Sequence, residues 1–141
     1  MGELHLSTVH HGLRIGSVMT SIPVLDASQA ASWDEVARDV ANIPSRVLME
    51  SAGRATAHIL AREFGELLNA GVLVVAGHGN NGGDGWVVAR ALHAVGVLTY
   101  VSDEARNRTE DCEANRKLAL DAGVIRLEPD EEWPLCGVVV D

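Results

Sequence analysis

The chain has 141 residues, 47% of them hydrophobic, and a formal net charge of −9. That is enough apolar material for one domain with its own core. So acidic a balance repels a polyphosphate backbone and argues against nucleic acid as a partner, and no stretch is long and apolar enough to span a membrane.

Residues 1–21 have no clear period and carry His5, His10 and His11. Metal ligands must converge, which a polar leader does not achieve by itself, so this stretch is read as a flexible arm. It lacks the basic start and apolar run of a signal peptide, so a cytoplasmic location is expected. Order is expected from residue 22 onward. Asp26 followed by Gln29 predicts a capped helix start, with the helix running to about Ala41. Asn42-Ile43-Pro44 interrupts it, because proline removes a donor and disfavours helix in the residue before it. A second helix is predicted from about Ser45 to Phe64, with Leu48, Ala52, Ala55 and Ile59 as its apolar stripe and Gly65 as its stop.

Val72 to Ala76 is a continuous apolar run, as a strand covered on both faces would be. A glycine-rich loop follows, then a helix from about Gly85 to Val95, with Val88, Ala91, Leu92 and Val95 facing inward and Gly96 as its end. Val97 to Ser102 reads as a second strand. Thr109 caps a third helix, with Glu110 and Asp111 favourable in its first turn, Arg116 and Lys117 further along, and Gly123 as its end. Val124 to Leu127 and Val138 to Val140 complete four strands, separated by an acidic turn at 128–132. Strands alternating with helices predict an α/β fold with a mainly parallel sheet. The chain stops at the carboxyl end of a buried-looking strand, where open α/β sheets bind ligands. An incomplete domain, with an exposed apolar edge that favours self-association, is therefore expected. Cys112 and Cys136 form neither a C-x-x-C pair nor a zinc spacing and are read as reduced.

The loop carries the chemistry. Gly77, Gly79 and Gly82 match the dinucleotide fingerprint between a strand and a helix, and Asp103, about twenty residues on, has the spacing of a ribose-binding acid. No G-K-[ST] follows, so no lysine reaches a phosphate. Asp84 beside the helix N-terminus competes with an anion for the amides there, either as a plain cap or as a functional carboxylate. Asn80 and Asn81 are more than one turn needs. Their neutral amide oxygens suit an ion such as K⁺ or a polar ligand. A structural turn, a phosphate cradle and an ion-assisted site all stay open on the residues alone. Trp33, Trp86 and Trp133 are read as packing residues.

Gly79-Asn80-Asn81-Gly82-Gly83-Asp84-Gly85 resembles the signature of the NAD(P)H-hydrate epimerases, also called YjeF N-terminal domains. Residues 43–54, from Ile43-Pro44-Ser45 to Gly53-Arg54, resemble that family's second landmark. Pro23-Val24-Leu25 resembles its opening, and Val138-Val139-Val140-Asp141 the start of its third. The resemblance runs in order over residues 22–141. It implies a Rossmann-like three-layer αβα fold and interconversion of the R and S epimers of hydrated NADH and NADPH. It also implies contact of Asn80, Asn81, Gly82, Gly83 and Asp84 with the hydrated dinucleotide, and K⁺ held by Asn81 and Asp141. A fused or separate NAD(P)H-hydrate dehydratase is the expected partner, and a homodimer is expected of the complete domain.

His78 stands where the family usually has proline or lysine, and the family's second ligand loop and a further aspartate would lie past Asp141. No catalytic acid or base is therefore assigned. Epimerisation of a hydroxyl-bearing ring carbon beside nitrogen proceeds by loss and return of water or by ring opening, which makes Asp84 and Asp141 candidates by type. A binding module without catalysis and an NAD-dependent oxidoreductase using Asp103 are the competing expectations.

Overall fold

A computed structural model describes residues 7–8, 23–24, 26–103, 106–128 and 130–141. The chain forms two compact units, 1–43 and 44–141. In the first, β1 (Ser7–Thr8) pairs antiparallel with β2 (Pro23–Val24), and helix α1 (Ala27–Asp39) follows. The histidines read as part of a flexible arm lie outside the described residues. The predicted helix start is a full capping box: the Asp26 carboxylate accepts from the Gln29 amide at 2.8 Å, and the Gln29 side chain accepts from the Asp26 amide at 3.0 Å. Satisfying two orphan donors at once fixes where the helix begins. Asn42, at φ 59, marks the predicted break before Pro44.

The second unit is an α/β fold. It contains α2 (Ser45–Leu68), β3 (Val72–Ala76), α3 (Asn80–Ala94), β4 (Thr99–Asp103), α4 (Glu110–Asp121), β5 (Ile125–Arg126) and β6 (Val138–Val140). The four strands form a parallel sheet in the order β5-β4-β3-β6. Helix α3 packs on β3 and β4, with α2 and α4 also packed against it. Val72, Val74, Ala76, Trp86, Val88, Leu92 and Val101 form the centre of the core, all nearly inaccessible to water. Trp86 is fully buried and packs in the core as predicted, whereas Trp33 and Trp133, at 68% and 54% exposure, are not core residues.

Three predicted details change. Helix α2 does not stop at Gly65. It kinks at Phe64, whose φ and ψ are −125° and 19°, and runs on to Leu68. The left-handed residue that turns the chain into β3 is Gly71, just as Gly96 and Gly123 follow α3 and α4. Only glycine enters that region without strain from a Cβ. The buried residues of α2 are Met49, Gly53 and Ala57, one or two positions past the predicted Leu48, Ala52 and Ala55, and Leu68 in the extension, while Ala52, Ala55 and Ile59 face outward. The shift has a steric cause: a Cβ at Gly53 would lie 2.5 Å from the Val87 Cβ, so glycine lets α2 and α3 approach along this face. On α3, Trp86, Val87 and Ala89 take inward places beside Val88 and Leu92, while Val95 is exposed.

Candidate functional site

The strand order places the candidate site. From β3 the chain moves outward through β4 to β5, then returns so that β6 lies on the other side of β3. The crevice between β3 and β6 is thus a topological switch point, where the loops leaving two adjacent strands diverge and make room for a ligand. The loop after β3 begins at Gly77. Val140 pairs with Val74, so Asp141 leaves the carboxyl end of the neighbouring strand on the same edge of the sheet. The structure therefore brings Asp141 and residues 77–84 to one edge from positions far apart in sequence.

Locally, the loop is shorter than its composition suggests. Helix α3 starts at Asn80, with Gly79 as N-cap, rather than at Gly85. Asn80, Asn81, Gly82, Gly83 and Asp84 are its first turns, so Asp84 is not the helix cap. The first hydrogen bond of the turn runs from the Gly83 amide to the Gly79 carbonyl at 3.1 Å. The amides of Asn80, Asn81 and Gly82 then precede any intrahelical acceptor. They form the partial positive end of a fifteen-residue helix, which suits an anionic group.

The segment is held from behind by close packing. A Cβ on Gly82 would collide with the Gly77 carbonyl, and one on Gly83 would lie 2.5 Å from the Met49 sulfur. Met49 is itself fixed: Asn115, buried on α4, donates to its sulfur at 3.0 Å and to the Asp111 carbonyl at 3.2 Å. The Cys112 thiol sits 3.9 Å from the Gly77 carbonyl, fully buried, and that burial pushes its pKa up. From the side, Thr109 ties the start of α4 to the loop. Its amide donates to the His78 carbonyl at 3.2 Å and its hydroxyl to the Asn80 amide oxygen at 3.1 Å, while it also caps α4 through the Cys112 amide at 3.4 Å. Glycine here serves approach of backbone to backbone, and α2 and α4 both brace the loop.

Asn81 and Asp141 are exposed and Asp84 is half-buried. Among the described residues no three His, Cys, Asp or Glu side chains cluster as a metal site would need. Two surface grooves, one along Arg62–Leu67 and one between α2 and α4 beside Glu50 and Asn115, are not lined by residues 77–84.

Asp103 is not a waiting ribose acid. Its side chain is fully buried and accepts from Arg108 at 2.5 Å, Arg126 at 2.7 Å and Arg116 at 3.3 Å. An unpaired buried carboxylate is expensive, and three guanidiniums explain its placement. The oxidoreductase expectation loses the acceptor it relied on. Sequence reasoning missed this cluster, although the parallel pairing of Val101 with Arg126, two residues before Asp103, is what brings it together.

The family model for the YjeF-related protein N-terminus matches residues 45–141. The NAD(P)H-hydrate epimerase of Oenococcus oeni is 38% identical over 108 residues, 75% of this chain and 50% of that one. The bifunctional NAD(P)H-hydrate repair enzyme Nnr of Salinibacter ruber is 42% identical over 79 residues, 56% of this chain and 15% of that one. Among solved structures, the crystal structure of yeast ynu0, YNL200c, matches with a TM-score of 0.68 and 32% identity, covering 77% of this chain and 48% of that one. The chain thus spans half or less of the length of these relatives.

Proposed function

The chain belongs to the family of YjeF-related N-terminal domains, and from that membership we propose that the protein epimerises hydrated NADH and NADPH. The carrying observation is the Asn80–Asp84 segment at the start of α3, braced by α2 and α4 beside the switch point between β3 and β6. Relatives named as NAD(P)H-hydrate epimerases align over up to 75% of the chain and support the same reaction.

In this reading the amides of Asn80, Asn81 and Gly82 bind the dinucleotide pyrophosphate, because they lack helical acceptors and lie at the positive end of the helix dipole. Gly82 and Gly83 let Gly77 and Met49 pack against the helix start and so hold it in place. Asn81 and Asp141 hold K⁺: both offer hard oxygen donors, both are exposed, and both follow the carboxyl ends of the adjacent strands β3 and β6. The ion, when bound, offsets negative charge at the crevice. Asp84 and Asp141 are candidates by residue type to stabilise a cationic ring or move a proton during loss and return of water. Both described cysteines are free, which suits a cytoplasmic protein. A dehydratase acting on one epimer would consume the product, in line with the bifunctional repair enzymes among the relatives.

The test is direct. Separated R and S epimers of hydrated NADH are incubated with the full-length protein in K⁺ buffer and followed by chromatography. Each should relax to the same mixture well above the spontaneous rate. Interconversion at the uncatalysed rate would rule the activity out.

A further inference from the structure

Next to the glycine loop, the arginine cluster on Asp103 has no part in the reading above. Ala76 pairs with Asp103, so that carboxylate ends the strand beside the one from which Gly77 departs. In a dinucleotide fold this is where the adenosine ribose lies, and an acid there ordinarily accepts the ribose 2′-hydroxyl. Here one carboxylate oxygen accepts from Arg126 and the other from Arg108 and Arg116. A ribose hydroxyl would have to displace a charge-assisted bond to reach it, which costs more than a neutral hydrogen bond returns.

All three guanidiniums also meet glutamates, Arg108 with Glu113 at 3.6 Å and the other two more closely. Arg116 reaches Glu113, and Arg126 reaches Glu128, each at 3.1 Å. Those glutamate side chains are 51% and 69% exposed, whereas the Asp103 side chain is 0% exposed. Exposed ion pairs contribute at most about 1 kcal/mol, so an incoming dianion replaces them readily. The buried aspartate stays and fixes the guanidinium orientation.

We propose that Arg116 and Arg126, anchored on Asp103 one strand away from the glycine loop, form a subsite for the 2′-phosphate of the phosphorylated dinucleotide. The protein thereby prefers hydrated NADPH over hydrated NADH. Glu113 and Glu128 occupy the arginines when that phosphate is absent. The proposal rests on the loop being a dinucleotide site, and binding measurements separate the two ideas.

The probes are adenosine 2′,5′-bisphosphate and adenosine 5′-monophosphate, titrated calorimetrically into the full-length protein. The bisphosphate should bind roughly tenfold or more tightly, as expected for charge-assisted bonds to a phosphate. Arg126→Gln should remove most of that margin and leave monophosphate affinity nearly unchanged. Because Arg126 also braces Asp103, a second variant guards against misfolding. Glu113→Gln/Glu128→Gln alters exposed side chains only and should tighten the bisphosphate alone, by several-fold. Equal affinity for both probes, or no response to the glutamate pair, overturns the subsite and leaves the dinucleotide site standing. Failure of both probes to bind at all overturns the dinucleotide site and the subsite with it.

Discussion

Gly82 lies so close against the Gly77 carbonyl that position 82 has no room for a Cβ. Gly79, three residues earlier, has nothing within 4 Å of where its Cβ would stand. The two glycines therefore differ in kind, although they look alike in the sequence. Gly82→Ala should destabilise the fold by roughly 2–4 kcal/mol through displaced backbone, and abolish dinucleotide binding. Gly79→Ala, at a helix N-cap, should cost no more than about 1 kcal/mol. Denaturant midpoints of the two variants check the contrast, and equal losses would show that the close approach does not govern the loop.

The ion assignment gives a second expectation. Epimerisation should be at least about tenfold faster in K⁺ than in Li⁺, a difference of about 1.4 kcal/mol. Asn81→Ala and Asp141→Ala should each flatten that dependence. Rates that are the same in both salts for the unaltered protein would remove the ion from the site.

Acid should loosen the packing of α2 on α3. Burial raises the Glu50 pKa, but the Arg54 hydrogen bond and the Arg90 charge more than offset it, so the carboxyl titrates below its ordinary value of 4.5. The folded pKa is depressed, so the Glu50 contribution is fully present above pH 4.5 and is lost as pH falls through the lower folded value. Glu50→Gln should destabilise by about 0.5–1 kcal/mol at neutral pH. The gap to the unaltered protein should close as pH drops below 4.5. A gap independent of pH would assign the loss to packing instead.

Burial raises both thiol pKa values, but the two cysteines differ in access: Cys112 is fully buried against the loop and Cys136 is half-exposed. Iodoacetamide at pH 7 should label Cys136 slowly and Cys112 only after unfolding, since the thiolate is the nucleophile. Mass mapping of the alkylated peptides distinguishes them. Prompt labelling of Cys112 would mean that the floor of the loop opens in the native state.

Much of this arrangement is legible in the sequence, and its failures share a cause. The apolar run at Val72–Ala76 and the Asp26/Gln29 box depend on neighbours in the chain, and both form as predicted. Asn80 to Gly83 are poor helix formers, so a propensity reading starts α3 late. Packing on Gly77 and Met49 overrides that preference and uses the glycines for contact. Hydrophobicity does not score Gly53, so the stripe of α2 is misplaced by a residue or two. The Asp103 cluster draws on β4, α4 and β5 at once. Only the parallel register shows that they meet, and nothing in local spacing does.

The kink at Phe64 reaches further than helix α2. It carries the last turn so close to Gly137 that a Cβ there would collide with the Leu67 carbonyl, while the Gly137 amide donates to the Gly71 carbonyl at 3.1 Å. Strand β6 can therefore dock only once that turn and the start of β3 are in place. It pairs across more than twice the chain length that separates β3 from β4. Closing that loop is entropically the more expensive step, so β6 should join the sheet last and leave it first. Native-state hydrogen exchange should find the amides of Val138–Val140 less protected than those of Val72–Ala76. Equal protection would mean that the sheet opens as one unit. The proposed ion site would then assemble in time as well as in space, its Asn81 half standing ready before Asp141 arrives.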